Sequence, residues 1–118
     1  MADRRKVQGA EGEDLAARFL EHRGMQIVER NYRYERGEID LIADDGNALV
    51  FIEVKSRTSA VFGPPENAVD ERKQEQLRMV AEGYLLERRI ENRPCRFDVI
   101  AIERNGMNAT VRHIPNAF

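Results

Sequence analysis

Two segments decide the fold: Gly37-Glu-Ile-Asp-Leu-Ile-Ala43 and Leu49-Val-Phe-Ile-Glu-Val-Lys55, separated by Asp44-Asp-Gly-Asn-Ala48. The first alternates, the second is rich in β-branched residues, and the Asp-Gly between them is a hairpin signal. With Asp45 and Gly46 as a two-residue turn, Ile42 faces Leu49, Asp40 faces Phe51 and Glu38 faces Glu53. Side chains alternate along a strand. This register therefore collects Glu38, Asp40, Ile42, Phe51, Glu53 and Lys55 on one face. Ile39, Leu41, Val50, Ile52 and Val54 form the other, apolar face. Asp40 and Glu53 become diagonal neighbours, a relation that a one-residue slip would destroy.

Upstream, apolar spacing predicts a helix from about Gly9 to Arg23, with Ala16, Ala17, Phe19 and Leu20 as its stripe and Gly24 as its stop. Glu13 precedes Ala16, Ala17 and Leu20 at helical spacing, which sets it on or beside the inward face. Glu11 and Asp14 fit the solvated side. Met25 to Tyr34 reads as a first strand. Downstream, Pro64 and Pro65 break the chain before a helix capped by Asp70 and running to about Arg89. Its buried stripe is Leu77, Val80, Ala81 and Tyr84, with Lys73 at the inward edge of the first turn. Arg96 to Glu103 is a further strand, Asn105-Gly106 a turn, and Met107 to Ile114 a last strand. The predicted order is helix, three strands, helix, two strands: an α/β (mixed α+β) domain whose helices pack against a mixed sheet.

A chain of 118 residues fits one domain spanning residues 1–118, with residues 1–8 as a flexible basic arm. The composition is 42% hydrophobic and 34% charged, which can bury a core. The longest apolar run, Ala48 to Ile52, is far short of the roughly 20 residues a membrane span needs. No apolar stretch follows the basic start, so no secretory signal is read there. Cys95 is the single cysteine, which excludes a disulfide framework or a thiolate zinc site. These features fit a cytoplasmic protein. The net charge of −2 is spread over both halves and makes no case by itself for nucleic acid. Sixteen arginines stand against three lysines, Lys6, Lys55 and Lys73. A lysine in such a chain suggests a need for a compact point charge of tunable pKa.

Two carboxylates and an amine on one face of an apolar hairpin call for a physical reason. Carboxylates so close repel and raise one another's pKa. A hard divalent cation, Mg²⁺ or Mn²⁺, removes that conflict, and Mg²⁺ needs only one or two protein carboxylates. Asp40 and Glu53 would supply them, with the Val54 carbonyl as a further oxygen, while Lys55 would position a water. That set fits metal-assisted hydrolysis of a phosphodiester. The plain alternative is a salt-bridged hairpin surface, with Lys55 neutralising both acids.

Beyond these residues, Gly37-Glu-Ile-Asp-Leu-Ile42 and Val50-Phe-Ile-Glu-Val-Lys-Ser-Arg57 resemble the YraN-type family. So do Gly12-Glu-Asp-Leu-Ala16, Asn31-Tyr-Arg33, Phe62-Gly-Pro64, the Lys73 helix, Arg96-Phe-Asp-Val99 and Asn116-Ala-Phe118. The resemblance spans nearly the whole chain. It implies a restriction-endonuclease-like core of the PD-(D/E)xK superfamily, similar in layout to archaeal Holliday junction resolvases. By that resemblance Glu13, Asp40, Glu53 and Lys55 are the catalytic candidates, and Asp40 and Glu53 the metal ligands. Ile39 stands where the superfamily signature has proline. Nucleic acid, DNA foremost, is the implied partner, with no membrane. A homodimer follows by analogy with junction-cutting relatives. The alternative function is a catalytically silent module on the same fold, binding nucleic acid or a DNA-processing protein.

Other residues support either a functional or an ordinary reading. Arg57 and Lys73 suit phosphate contact, or an ion pair and a helix-start lysine. Glu38 is a further ligand, or a strand-edge acid paired with Arg36 or Arg57. Arg4, Arg5 and Lys6 form the basic arm. Asp98 is read as bonding Arg96, backbone groups or a neighbouring strand. His22 and His113 are read as surface or strand residues, and Cys95 as a small core or edge residue. Tyr32 and Tyr34 are read as strand packing rather than base stacking.

Overall fold

The computed structural model describes residues 4–57 and 69–118, with side chains from Ala10 onward. Pro64 and Pro65 lie outside these residues. The elements are α1 (Arg4–His22), β1 (Gln26–Tyr34), β2 (Gly37–Asp44), β3 (Leu49–Arg57), α2 (Glu71–Glu87), β4 (Cys95–Asn105) and β5 (Asn108–Ile114). The predicted order of helix, three strands, helix and two strands is the observed one. The sheet runs β1-β2-β3-β4-β5. Its β3–β4 pair is parallel and the other three pairs are antiparallel, so the sheet is mixed.

The helices lie on opposite faces of the sheet, because both faces are apolar. Leu41, Ala43, Val50, Ile52, Ile100 and Ile102 pack with Ala16, Ala17 and Leu20 of α1. Ile42, Leu49, Phe51 and Val99 pack with Leu77, Val80, Ala81 and Tyr84 of α2. Helix α1 starts at Arg4, ahead of the predicted Gly9, and takes in residues 4–8, which the sequence assigned to a basic arm. It stops where expected: Gly24 has φ +88°, and the Met25 N–H closes onto the Leu20 carbonyl at 3.0 Å. Asp70 caps α2 by accepting from the Lys73 N–H at 2.9 Å. Two glycines let α2 approach the sheet closely. A Cβ on Gly37 would meet Val80 at 2.3 Å, and one on Gly83 would meet the Tyr34 ring at 2.4 Å.

The hairpin register differs from the predicted one by two residues. Leu49 pairs with Asp44, and Phe51 with Ile42. The loop is therefore the four residues Asp45 to Ala48 rather than a two-residue turn. Its carboxylates explain the difference. Asp44 accepts from the Gly46 N–H at 2.8 Å, and Asp45 accepts from the N–H groups of Asn47 (2.8 Å) and Ala48 (2.7 Å). These side chains satisfy the backbone of a wider loop. A shift of two preserves the faces of β3, so the predicted grouping of its side chains survives.

Ile39 is a second correction. It packs on the α2 side with Ile42, opposite to Leu41, so strict alternation fails around Asp40. The irregularity faces Asn31, a left-handed residue (φ +51°) inside β1, between the pairs Arg30–Leu41 and Tyr32–Ile39. The last turn also moves: Asn105 pairs with Asn108, so Gly106 and Met107 form it. None of the described helices is long and apolar enough to cross a membrane.

Candidate active site

The β2–β3 pairing ends at Leu41 and Ile52, and one step beyond it come Asp40 and Glu53. There a side chain replaces the main chain as acceptor: Asp40 Oδ2 takes the Val54 N–H at 2.8 Å. Asp40 and Glu53 are thus placed across the end of a ladder, a closer relation than the predicted diagonal. Glu53 is 7% exposed. Two amines reach one of its oxygens: Lys55 Nζ lies 3.8 Å from Oε1 and Lys73 Nζ 4.0 Å from the same atom. Oε2 is buried with no hydrogen-bond partner among the described residues. A buried acceptor left unmatched is costly and asks for an explanation.

Burial is the first cause that moves the acids, and for Glu53 and Glu13 the Asp40 charge is the second. Desolvation and the Asp40 charge push Glu53 up to about 7, against the opposing pull of Lys73 and Lys55. Asp40 is also raised, by burial first, while the Val54 N–H and the two lysines oppose the shift. Glu13 on α1 is raised by burial and then by Asp40. Glu38 adds to the shift of all three acids.

The structure brings Asp40, Glu53, Lys55 and Lys73 together. Glu13, Asp40 and Glu53 share one electrostatic environment, and Lys55 and Lys73 both touch Glu53. Lys73 comes closer to the centre than its helix position alone requires. Glu38 pairs with Arg33 at 3.6 Å, an arginine not among its predicted partners Arg36 and Arg57. Arg57 ends β3, two residues beyond Lys55. Among the described residues no three His, Cys, Asp or Glu side chains form a metal-binding group. The donor set is instead two carboxylates, with an unmatched oxygen on one. That fits a hard cation that keeps much of its own water. Asn31 was missed as a site residue. Its side-chain amide is among the influences that lower the Glu13 pKa, against burial and the Asp40 charge. The available signal was an asparagine, a residue that tolerates left-handed backbone, inside a predicted strand.

A second acidic centre is structural. Asp98, fully buried on β4, binds His113 Nε2 at 2.7 Å, the Asn116 N–H at 3.0 Å and Arg96 Nε at 3.2 Å. Arg96 also bonds Asp45 at 2.6 Å. The predicted partners of Asp98 are present, and His113, a strand residue as expected, is a part-buried partner from β5. Tyr32 packs edge-on against Tyr84 and donates to Glu87 at 2.6 Å, so strand packing is its use. Cys95 is exposed at the start of β4.

Fold and site together define a mixed α/β domain with an acid–lysine cluster at the open end of a central hairpin. The chain belongs to the family described as "Uncharacterised protein family UPF0102", whose pattern matches residues 12–102. It is 46% identical over 113 residues to a UPF0102 protein of Geobacter metallireducens, covering 96% of this chain and 93% of the relative. It is 43% identical over 120 residues to one of Pelotomaculum thermopropionicum, covering the full length of both. A UPF0102 protein of Chlorobaculum tepidum is 47% identical over 116 residues, covering 93% of this chain and 90% of that one.

Proposed function

We propose that this protein is a metal-dependent nuclease with a restriction-endonuclease-like core, hydrolysing phosphodiesters in DNA or structured nucleic acid. The observation that carries the reading is Glu53: a buried carboxylate with one oxygen facing two lysines and the other without a partner among the described residues, across the end of the β2–β3 ladder from Asp40. Asp40 and Glu53 would hold Mg²⁺ or Mn²⁺. Such an ion, when bound, supplies Lewis-acid charge to the phosphodiester oxygens. Lys55 holds the attacking water and offsets charge building on the phosphoryl oxygens. Lys73, at the first turn of α2, offers a second cation to the backbone phosphate, and Arg57 is placed to extend that contact. Glu13 closes the acidic cluster from the α1 side. In the hydrolysis, the water oxygen bonds to phosphorus, one phosphorus–oxygen ester bond breaks, and the proton of water ends on the departing alkoxide.

A silent binding module is the second reading, favoured by the net charge of −2, which is low for a protein that grips nucleic-acid backbone unspecifically. Cleavage of branched, flapped and single-stranded DNA with Mg²⁺ or Mn²⁺ separates the two. The nuclease reading expects cleavage that chelator and Asp40→Ala both abolish while the fold persists. Equal cleavage by Asp40→Ala, or binding without cleavage in every metal, would overturn it. Light scattering with and without a two-fold symmetric junction tests the homodimer that such a substrate would favour.

A further inference from the structure

On the α2 side of the acidic centre lies a cavity of about 330 Å³, lined by Asp70, Arg72, Lys73 and Gln76. Helical spacing builds its wall. Arg72 and Lys73 stand four and three residues before Gln76, so both neighbour it on the surface of α2. The opposite wall is fixed by close packing. A Cβ on Gly37 would meet Val80 at 2.3 Å and Gln76 at 3.2 Å, so the β1–β2 turn is held against this part of the helix. Gln76 Nε2 donates to the Arg36 carbonyl at 3.3 Å and ties the two together.

The cavity presents donors. Lys73 Nζ stands 4.0 Å from Glu53 Oε1, an ion pair but longer than a hydrogen bond. The Gln76 amide carries two hydrogens, of which the Arg36 carbonyl takes one. Arg72 is exposed and has no ion pair among the described residues. The one carboxylate, Asp70, already accepts the Lys73 N–H at 2.9 Å, so the helix end is capped by the protein itself. Two cations and an amide against one engaged carboxylate suit an anion. Lys73 is shared: it lines the cavity and pairs with Glu53.

We propose that this cavity is a subsite for a second phosphate, the backbone linkage adjoining the one cut, held by Arg72, Lys73 and Gln76. The proposal rests on the nuclease reading of Glu53 and deepens it: the substrate is a strand with phosphates on consecutive nucleotides, not an isolated diester. Arg72 and Gln76 bind the strand and take no part in the chemistry.

The first test needs no cleavage. The full chain carrying Asp40→Ala is titrated with fluorescent single-stranded DNA in Mg²⁺ over a range of salt. Adding Arg72→Ala is expected to weaken binding about 10-fold and to lower the salt slope by about one phosphate contact. Arg72→Lys keeps the charge and is expected to keep the slope. Gln76→Ala removes a neutral donor, so it is expected to weaken binding at an unchanged slope. Arg18→Ala, an equal loss of charge at an exposed position of α1, is expected to change neither. In the otherwise wild-type chain, Arg72→Ala is expected to raise KM for the strand about 10-fold at unchanged kcat. A dinucleotide, which has one linkage only, is expected to be cut alike with and without Arg72.

A strand with one neutral methylphosphonate beside the cut linkage locates the contact. It is expected to bind alike with and without Arg72, because the charge that Arg72 meets is gone. Unchanged affinity and salt slope in Arg72→Ala would overturn the subsite, as would an equal loss in Arg18→Ala or an equal rise in KM for the dinucleotide. The two readings fail separately. Cleavage by wild type upholds the nuclease reading even where Arg72→Ala overturns the subsite. A wild type that never cuts overturns the nuclease reading, whereas the loss of salt-dependent binding in Arg72→Ala still upholds a phosphate subsite.

Discussion

Asp98 and Glu53 are both carboxylates buried in adjacent, parallel strands, yet they are treated in opposite ways. Asp98 is surrounded by donors: His113, the Asn116 N–H and Arg96. Burial pushes its pKa up, but those three donors outweigh burial and hold it below the usual aspartate range. Glu53 receives two lysines near 4 Å on one oxygen and, among the described residues, no partner on the other, and it rises to about 7. A satisfied buried charge fixes structure. An unsatisfied one stores a demand for a ligand. The contrast separates scaffold from site more sharply than any count of charges, since each centre is acidic, buried and flanked by cations.

The largest effect should come from the satisfied centre. Asp98→Ala leaves the Asn116 N–H and His113 without their acceptor and Arg96 with Asp45 alone, and removing one member of a buried charge network costs about 3–5 kcal/mol. Urea unfolding is the measurement; a loss below about 1 kcal/mol would mean the network is not what closes β4, β5 and the segment after them. At the other centre the sign reverses. Lys55→Ala is expected to lower cleavage by roughly 10²- to 10⁴-fold, the usual scale for a group that handles the proton or water of the reaction, with little change in folding stability. A drop in stability as large as that of Asp98→Ala would erase the distinction.

The sharper test is pH. Glu53 is raised in the folded chain, so the folded state binds the extra proton and stability falls as pH climbs from the ordinary glutamate value of 4.5 to about 7. Glu53→Gln removes that cost. It is expected to melt a few degrees above wild type at pH 8, and the gap should close as pH falls to 4.5. Asp98 does the opposite: its contribution is complete above the ordinary aspartate pKa and is lost as pH falls through its lowered folded value. Melting curves from pH 8 to pH 3 for wild type and Glu53→Gln read both trends. Smallest is the effect of Mg²⁺ at pH 8, expected to raise the wild-type melting temperature by saturable binding and to leave Glu53→Gln unmoved.

Much of this was legible before any coordinates. The alternation of Leu49 to Lys55 fixed which β3 side chains share a face, and because the register erred by two residues that grouping survived. The erroneous register itself has a local cause: Asp44 and Asp45 bond the loop N–H groups with their carboxylates, and a dipeptide signal cannot reveal that. The reversal at Ile39 was illegible because it lies opposite a left-handed residue of a different strand, a relation visible only once the strands are paired. The bond between Asp98 and His113 was hidden for a similar reason. It requires the β4–β5 register, in which His113 sits opposite Ile100 and diagonal to Asp98. Site residues carried by one hairpin could be read from periodicity; contacts made by tertiary docking could not.

The close approach of α2 to the sheet has a mechanical consequence. The helix is pinned at Gly83, against Tyr34, and at Val80, against Gly37, while Lys73 lies in its first turn. Ten residues of helix separate Gly83 from Lys73, a lever arm of about 15 Å. A methyl group at the fulcrum, as in Gly83→Ala, should tilt the arm and draw the lysine amine away from Glu53. Such a variant would uncouple a charge at the site from a residue that never touches it.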